Sequence, residues 1–219
     1  MDDPIGNHPT RAEQLDILTT IITDQAMSNN RVLDLGCGTG YVASLLFDKR
    51  SDLFYAGLDC KEESLVEART NLKLYADRTK WIVGNLETVD KLELSETNYQ
   101  FIISALTFHD LDDNAKRKVI SFAKEHLTAD GFFFLYDRIR LTEGSLFPLQ
   151  KSIWSRIDRV YGRGMRNAAS FEAYEADIAP NNRPGRLEDY MDWFNKIGMK
   201  AQVLHLHGNI ALIGASKMF

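Results

Sequence analysis

Apolar residues fall along this chain in two alternating rhythms. Short, nearly unbroken apolar runs recur at 31–36, 53–59, 80–84, 99–104 and 131–137, and runs of that length without polar alternation predict strands covered on both faces. Phe132-Phe133-Phe134-Leu135-Tyr136, opened by Gly131, is the plainest of them. In the intervals, apolar positions return every three or four residues, which predicts helices over 42–49, 62–75 and 112–126 and a leading helix over about 11–27. Strands and helices in turn predict an α/β fold, a mostly parallel sheet with helices on both faces.

After Asp137 the alternation stops. Segment 138–185 carries Phe147, Trp154, Tyr161, Phe171 and Tyr174, reads as two helices around a glycine-rich break, and ends in the loop Pro180-Asn181-Asn182-Arg183-Pro184-Gly185. It is the part least constrained by the sheet, and so the expected seat of substrate choice. Residues 187–197 read as a helix that Gly198 can terminate. Alternation in 201–206 and 209–215, around His207-Gly208, predicts a hairpin. The 219 residues suit a single domain, with 1–28 as a helical cap and 138–185 as a helical insertion on the substrate side.

The first strand ends in chemistry. Val32, Leu33 and Leu35 deliver Asp34 into Gly36-Cys37-Gly38-Thr39-Gly40, and an apolar pattern restarts at Tyr41. Glycines there let the backbone pass close to a nucleotide-like ligand. A dinucleotide loop wants glycines at the first, third and sixth positions; counted from Gly36, they stand at the first, third and fifth, with Tyr41 at the sixth. That disfavours a nicotinamide dehydrogenase. Asp34 would repel a phosphate but attract a cation, directly or through water. S-adenosylmethionine carries an ammonium and a sulfonium and no phosphate.

At these residues the sequence resembles the class I S-adenosylmethionine-dependent methyltransferases. Phe54-Tyr55-Ala56-Gly57-Leu58-Asp59 resembles the family's second strand, and the resemblance implies that Asp59 accepts hydrogen bonds from both ribose hydroxyls. Asp59 lies 23 residues after Gly36, the spacing of two parallel strands joined by one helix. Trp81-Ile82-Val83-Gly84-Asn85-Leu86 resembles the third strand and the turn near the adenine, with Asn85 where the family usually has Asp. Phe101 to Leu111 resembles the fourth strand and its loop; relatives often show two successive histidines there, and this chain has His109 followed by Asp110. The implied fold is Rossmann-like and seven-stranded, the last strand antiparallel between the fifth and sixth. The implied cofactor set is Asp34, Gly36, Cys37, Gly38, Gly40, Asp59, Cys60, Asn85, Leu86 and Ser104, with S-adenosylhomocysteine as product.

Methyl transfer from a sulfonium asks the protein to align an acceptor and exclude water, and needs a base only when the acceptor is protonated. His109 is the candidate base, with Asp110 to orient it or a substrate amine; alternatively His109 packs in its loop and Asp110, with Asp112 or Asp113, caps the next helix. Trp154 and Tyr161, seven apart, either line an acceptor pocket or belong to a core. His8, Arg11 and Gln14 can fold over the cofactor from the leading helix. His205 and His207 alternate with leucines on a strand and are assigned no metal.

Composition narrows the partners. Apolar residues at 44% and charged residues at 26% are ordinary for a globular protein, and a net charge of −5 argues against nucleic acid. Arg156, Arg159, Arg163 and Arg166 share a helical face if that segment is helical, as a solvated face or as a patch for an anionic substrate. Cys37 and Cys60 read as reduced residues beside the cofactor, neither disulfide nor metal ligands. No apolar run spans a membrane and the polar start is no signal peptide, so a cytoplasmic enzyme is expected, acting on a small-molecule acceptor, with a homodimer left open. Two alternatives stand beside it. The arginine-rich, aromatic insertion followed by a helix and a hairpin is similar, distantly, to the enzymes that make carboxy-S-adenosylmethionine for tRNA modification, and a non-catalytic methyltransferase-like scaffold is the other.

Overall fold

The computed structural model describes residues 9–162, 168–178 and 182–217. Its strands are β1 (Arg31–Leu35), β2 (Phe54–Asp59), β3 (Thr79–Val83), β4 (Tyr99–Ala105), β5 (Leu127–Arg138), β6 (Met199–His207) and β7 (Ile210–Lys217). They form one sheet in the order β3-β2-β1-β4-β5-β7-β6. The first five run parallel, and β7 lies antiparallel between β5 and β6. This is the expected Rossmann-like order, and the terminal hairpin forms as the alternation predicts.

Parallel neighbours need crossovers, which the helices supply. The helices are α1 (Pro9–Gln25), α2 (Tyr41–Lys49), α3 (Glu62–Asn71), α4 (Asp113–His126), α5 (Phe147–Tyr161), α6 (Phe171–Ala176) and α7 (Leu187–Lys196). Successive residues of β5 explain the unbroken apolar run. Phe133 and Leu135 face α4 and α7, packing with Val119, Ile120, Tyr190 and Phe194. Phe134 and Tyr136 face the other way, into the layer of Leu15, Leu18, Ile22, Val42 and Leu46 from α1 and α2. Among the described residues, no helix is long and apolar enough to cross a membrane.

Several boundaries differ from expectation. The leading helix starts at Pro9, whose fixed φ suits a first helical position, and stops at Gln25, beyond which the Asn30 side chain accepts the Met27 N–H. The third helix breaks after Asn71 into a 3₁₀ turn at Lys73–Tyr75. β5 begins at Leu127 rather than 131, across a register shift that Gln100 stabilises by donating to the Asp130 carbonyl and accepting from Thr128.

The insertion bears on two expectations. α5 ends at Tyr161, where Gly162 turns left-handed (φ +71) and its N–H returns to the Asp158 carbonyl; of the four arginines, Arg163 and Arg166 lie outside the described residues. Trp154 is 1% exposed and packs with Phe147, Ile157, Phe171 and Tyr174, so its ring is the insertion's own core and not an open pocket wall. Tyr161 instead reaches α1, its hydroxyl donating to Glu13 at 3.3 Å and its ring meeting His207 edge-on. Replacing Trp154 with Ala is expected to cost about 3–5 kcal/mol, measured by urea unfolding, with proteolytic cleavage appearing first inside 138–185; cleavage spread evenly over the chain would contradict a separate insertion core.

Candidate functional site

β1 sends its crossover to β2 on one side, while its other neighbour is β4, so the strand order reverses between β1 and β4. Open α/β sheets bind ligands at the carboxyl ends of the strands at such a point. The glycine loop leaves β1 there. Gly36 and Cys37 both donate their N–H groups to the Leu58 carbonyl, at 2.8 and 3.0 Å, which folds the loop back toward β2. Gly36 (φ +86) has no space for a side chain: a Cβ would lie 2.4 Å from Thr107 Cγ2 and Oγ1. A Cβ on Gly38 (φ +52), by contrast, would meet nothing within 4 Å, so that backbone is bare on the side a ligand would approach.

Two acidic residues flank the loop in different states. Asp59, ending β2, accepts the Gly38 N–H on one carboxylate oxygen and the Lys61 N–H on the other, both at 2.9 Å. A carboxylate has roughly four acceptor positions, which leaves capacity for two further donors. Asp34 is 1% exposed; its Oδ2 accepts the Tyr55 hydroxyl at 2.5 Å while Oδ1 is buried without a partner. Burial pushes its carboxyl up to about 7, the Tyr55 hydroxyl opposing and the Asp59 charge adding to the rise. A bare glycine backbone beside an unmatched buried carboxylate oxygen fits an adenosyl amino acid with an ammonium group.

The remaining predicted cofactor residues have structural duties as well. Ser104 donates its hydroxyl to the Leu35 carbonyl at 2.8 Å and ties β4 to β1. The Cys37 sulfur sits over Gly57 and Trp81, and burial pushes its thiol far up, away from reactivity. Cys60 is exposed. Asn85 caps the turn after β3 through its side-chain oxygen, which accepts the Glu87 N–H at 2.9 Å, and Leu86 is buried. From α1, Gln14 accepts the Tyr136 hydroxyl at 3.2 Å and donates to the Ile210 carbonyl at 3.1 Å, and Arg11 acts on Tyr136 by its charge; His8 lies outside the described residues.

On the β4 side the backbone turns sharply. Leu106 adopts a left-handed conformation (φ +55), unusual for a leucine, held by its N–H to the Tyr136 carbonyl at 2.7 Å. The turn puts Thr107 against Gly36 and starts a 3₁₀ turn at Phe108–Asp110. There His109 is buried, and its orienting carboxylate is Asp137 at the end of β5, not Asp110. Nδ1 lies 2.6 Å from Asp137 Oδ1, and the His109 backbone N–H donates to Oδ2 at 2.9 Å. A carboxylate only accepts, so Nδ1 carries the hydrogen, and a neutral ring then has its lone pair on Nε2. Asp110, with its side chain 60% exposed, approaches Nε2 only to 3.6 Å. Asp112 alone takes the helix cap, accepting the Ala115 N–H at 2.7 Å.

The insertion's end clamps this turn. Arg183 donates its N–H to the His109 carbonyl at 2.5 Å and its guanidinium to the Asp110 carbonyl at 2.6 Å, and fully buried Lys116 holds the Arg183 carbonyl. Sequence reasoning missed Asp137, Tyr55 and Arg183. Asp137 carried the same signal as Asp34, an acid closing a run buried on both faces. The other two gave none, because they act through distant partners.

The profile of a methyltransferase domain family matches residues 26–155, more than half of the chain. Carboxy-S-adenosyl-L-methionine synthase of Campylobacter lari is 27% identical over 139 residues, covering 63% of this chain and 57% of that protein. A malonyl-acyl-carrier-protein O-methyltransferase of Bacillus anthracis is 35% identical over 106 residues, covering 48% of this chain and 36% of that protein. The chain thus spans between about a third and three fifths of these relatives. The structure of the YcgJ protein from Bacillus subtilis superposes with a TM-score of 0.67 at 16% identity, over 95% of this chain and 99% of that one. Fold, glycine loop and family profile agree: the chain belongs to the methyltransferase domain family and has the fold of its class I S-adenosylmethionine-dependent members.

Proposed function

We propose that this chain transfers the methyl group of S-adenosylmethionine to a small-molecule acceptor, with His109 receiving the acceptor's proton. The observation that carries this reading is the His109–Asp137 pair, set one sharp turn away from a glycine loop whose backbone is bare at Gly38. The cofactor, when bound, supplies an electrophilic methyl group on a sulfonium. Gly38 and its neighbours offer backbone to it, Asp59 accepts from its ribose hydroxyls with its unused positions, and Asp34 holds its ammonium. Asp137 keeps the His109 ring fixed and its Nε2 lone pair available, as a base requires. Asp110, exposed at the mouth beside Nε2, attracts a cationic acceptor. The similarity to the Campylobacter lari synthase favours a second reading, formation of carboxy-S-adenosylmethionine; a copurified nucleoside heavier than S-adenosylmethionine by one carboxylate separates the two.

Asp34 gives the site a pH signature. Its folded pKa is raised, from 3.8 to about 7, so its contribution to stability is fully present below about pH 4 and is lost as the pH rises through about 7. An ammonium ligand needs the ionised form and must displace the proton. Binding of S-adenosylhomocysteine, measured by calorimetry, is therefore expected to strengthen up to about tenfold per pH unit between about 5.5 and 7 and then level off, with the slope absent in Asp34→Asn. Equal slopes in both proteins would remove Asp34 from the ligand's charge balance. Replacing His109 with Ala is expected to lower turnover of an acceptor found by screening about 10²- to 10⁴-fold, leaving S-adenosylhomocysteine affinity within roughly threefold; unchanged turnover would take His109 out of the mechanism.

A further inference from the structure

Helix α5 carries apolar side chains on two faces, and the fold buries only one of them. Trp154 and Ile157 turn inward and pack with Phe147, Phe171 and Tyr174. The other face is open. Leu149, Ile153 and Val160, with Leu146 in the turn just before them, are between 44% and 64% exposed. By helical spacing the three positions on α5 fall within about 40° of one another and run for about 16 Å along its axis. Exposed apolar residues that stand singly are ordinary, and among the described residues no other α-helix exposes more than one large apolar side chain. A row of them calls for a partner.

The row is edged by cations. Arg156 and Arg159 are exposed, and Arg156 stands three residues from Ile153 and four from Val160, beside both on the helix surface. From Ser145 to Arg166 the sequence carries Lys151, Arg156, Arg159, Arg163 and Arg166 against a single acid, Asp158, in a chain whose net charge is −5. Asp158 leaves α5 on the side away from the row. An apolar stripe with arginines along its margin matches the headgroup region of an anionic bilayer, where the stripe meets the acyl chains and the guanidiniums reach the phosphates. The aromatic core beneath holds α5 folded before contact, so ordering the helix does not oppose binding.

We propose that α5 docks the protein on an anionic lipid surface, with Leu146, Leu149, Ile153 and Val160 facing the acyl chains and Arg156 and Arg159 at the phosphates. This assignment stands apart from the cofactor reading and does not need it. Two features favour lipid over protein. The row is a convex ridge of four apolar side chains, whereas a stable protein interface takes roughly 20–30 residues a side. Pairing with a second copy along the row, parallel or antiparallel, would also bring the two Arg156 side chains together, within about 5 Å along the axis in the antiparallel case, with no acid on the row to neutralise them. The insertion leaves the sheet at Arg138 and returns at Gly185, which bridges Ile139. A surface held through α5 is thus held at the edge of the sheet that carries the His109 turn, not at the opposite edge.

Flotation of the full chain with lipid vesicles is the test, using phosphatidylcholine alone and phosphatidylcholine mixed with phosphatidylglycerol. Two double variants are compared with the unaltered protein: Leu149→Gln with Ile153→Gln, and Arg156→Gln with Arg159→Gln. All four side chains are exposed, so thermal unfolding midpoints are expected to stay unchanged. Lipid docking predicts that the mixed vesicles carry the unaltered protein and that phosphatidylcholine alone holds it at least about tenfold more weakly. Loss of the two arginines is expected to weaken binding to the mixed vesicles roughly 20-fold, and loss of Leu149 and Ile153 about tenfold or more. Mixed vesicles that leave the protein behind, or that bind the Leu149→Gln, Ile153→Gln protein as well as the unaltered one, would overturn the proposal. Sedimentation that shows a dimer of the unaltered protein and a monomer of that variant, without vesicle binding, would overturn it in favour of a second copy on the row.

Discussion

At the carboxyl end of the sheet, the Gly36 backbone and the Thr107 side chain share a space too small for one more carbon. A Cβ at residue 36 would lie 2.4 Å from two Thr107 atoms, inside any van der Waals separation. That contact joins the loop after β1 to the loop after β4, and each half of the site takes its position from it. On one side the glycine loop folds back to Leu58, so that Gly38 meets Asp59. On the other, the left-handed Leu106 launches the turn that drops His109 onto Asp137. The strain in Leu106 persists because the Tyr136 carbonyl, the Gly36 contact and the Arg183 clamp together leave it no relaxed alternative.

Three acids end three of the parallel strands, and their environments divide the work. Asp59 is satisfied by backbone N–H groups and partly open, which suits shared hydrogen bonding to a ligand. Asp137 is 2% exposed and collects the His109 ring, the His109 N–H and the Arg138 N–H, so it is committed to holding a neighbour in place. Asp34 is buried with a single donor, and its proton affinity is raised accordingly. A buried oxygen with no partner costs stability in the free protein. A ligand that supplies the missing partner recovers that cost as affinity.

Much of the fold was legible because its signals are local. Phe132 to Tyr136 reads as a doubly covered strand from composition alone, and glycines at 36, 38 and 40 after an apolar strand read as a ligand loop. The hairpin at the chain's end declared itself by alternation. What escaped was set by partners distant in the chain. Asp137 orients His109 across 28 residues, and no periodicity links the ends of two neighbouring strands. The identity of the orienting acid therefore fell to the adjacent Asp110. Trp154 read more often as core than as pocket wall, since seven-residue spacing fixes a helix face but not what that face meets. At Gly162 the helix ends in a left-handed residue, as a glycine there allows.

We hold that the loop after β1 and the acid ending β2 bind an adenosyl amino acid. Native mass spectrometry of the freshly purified full chain, offered S-adenosylhomocysteine and NADH together, tests it most directly. Binding at this loop predicts a single added mass equal to one S-adenosylhomocysteine and no NADH adduct. A preference for NADH, or no adduct at concentrations far above those at which such cofactors ordinarily bind, would contradict it.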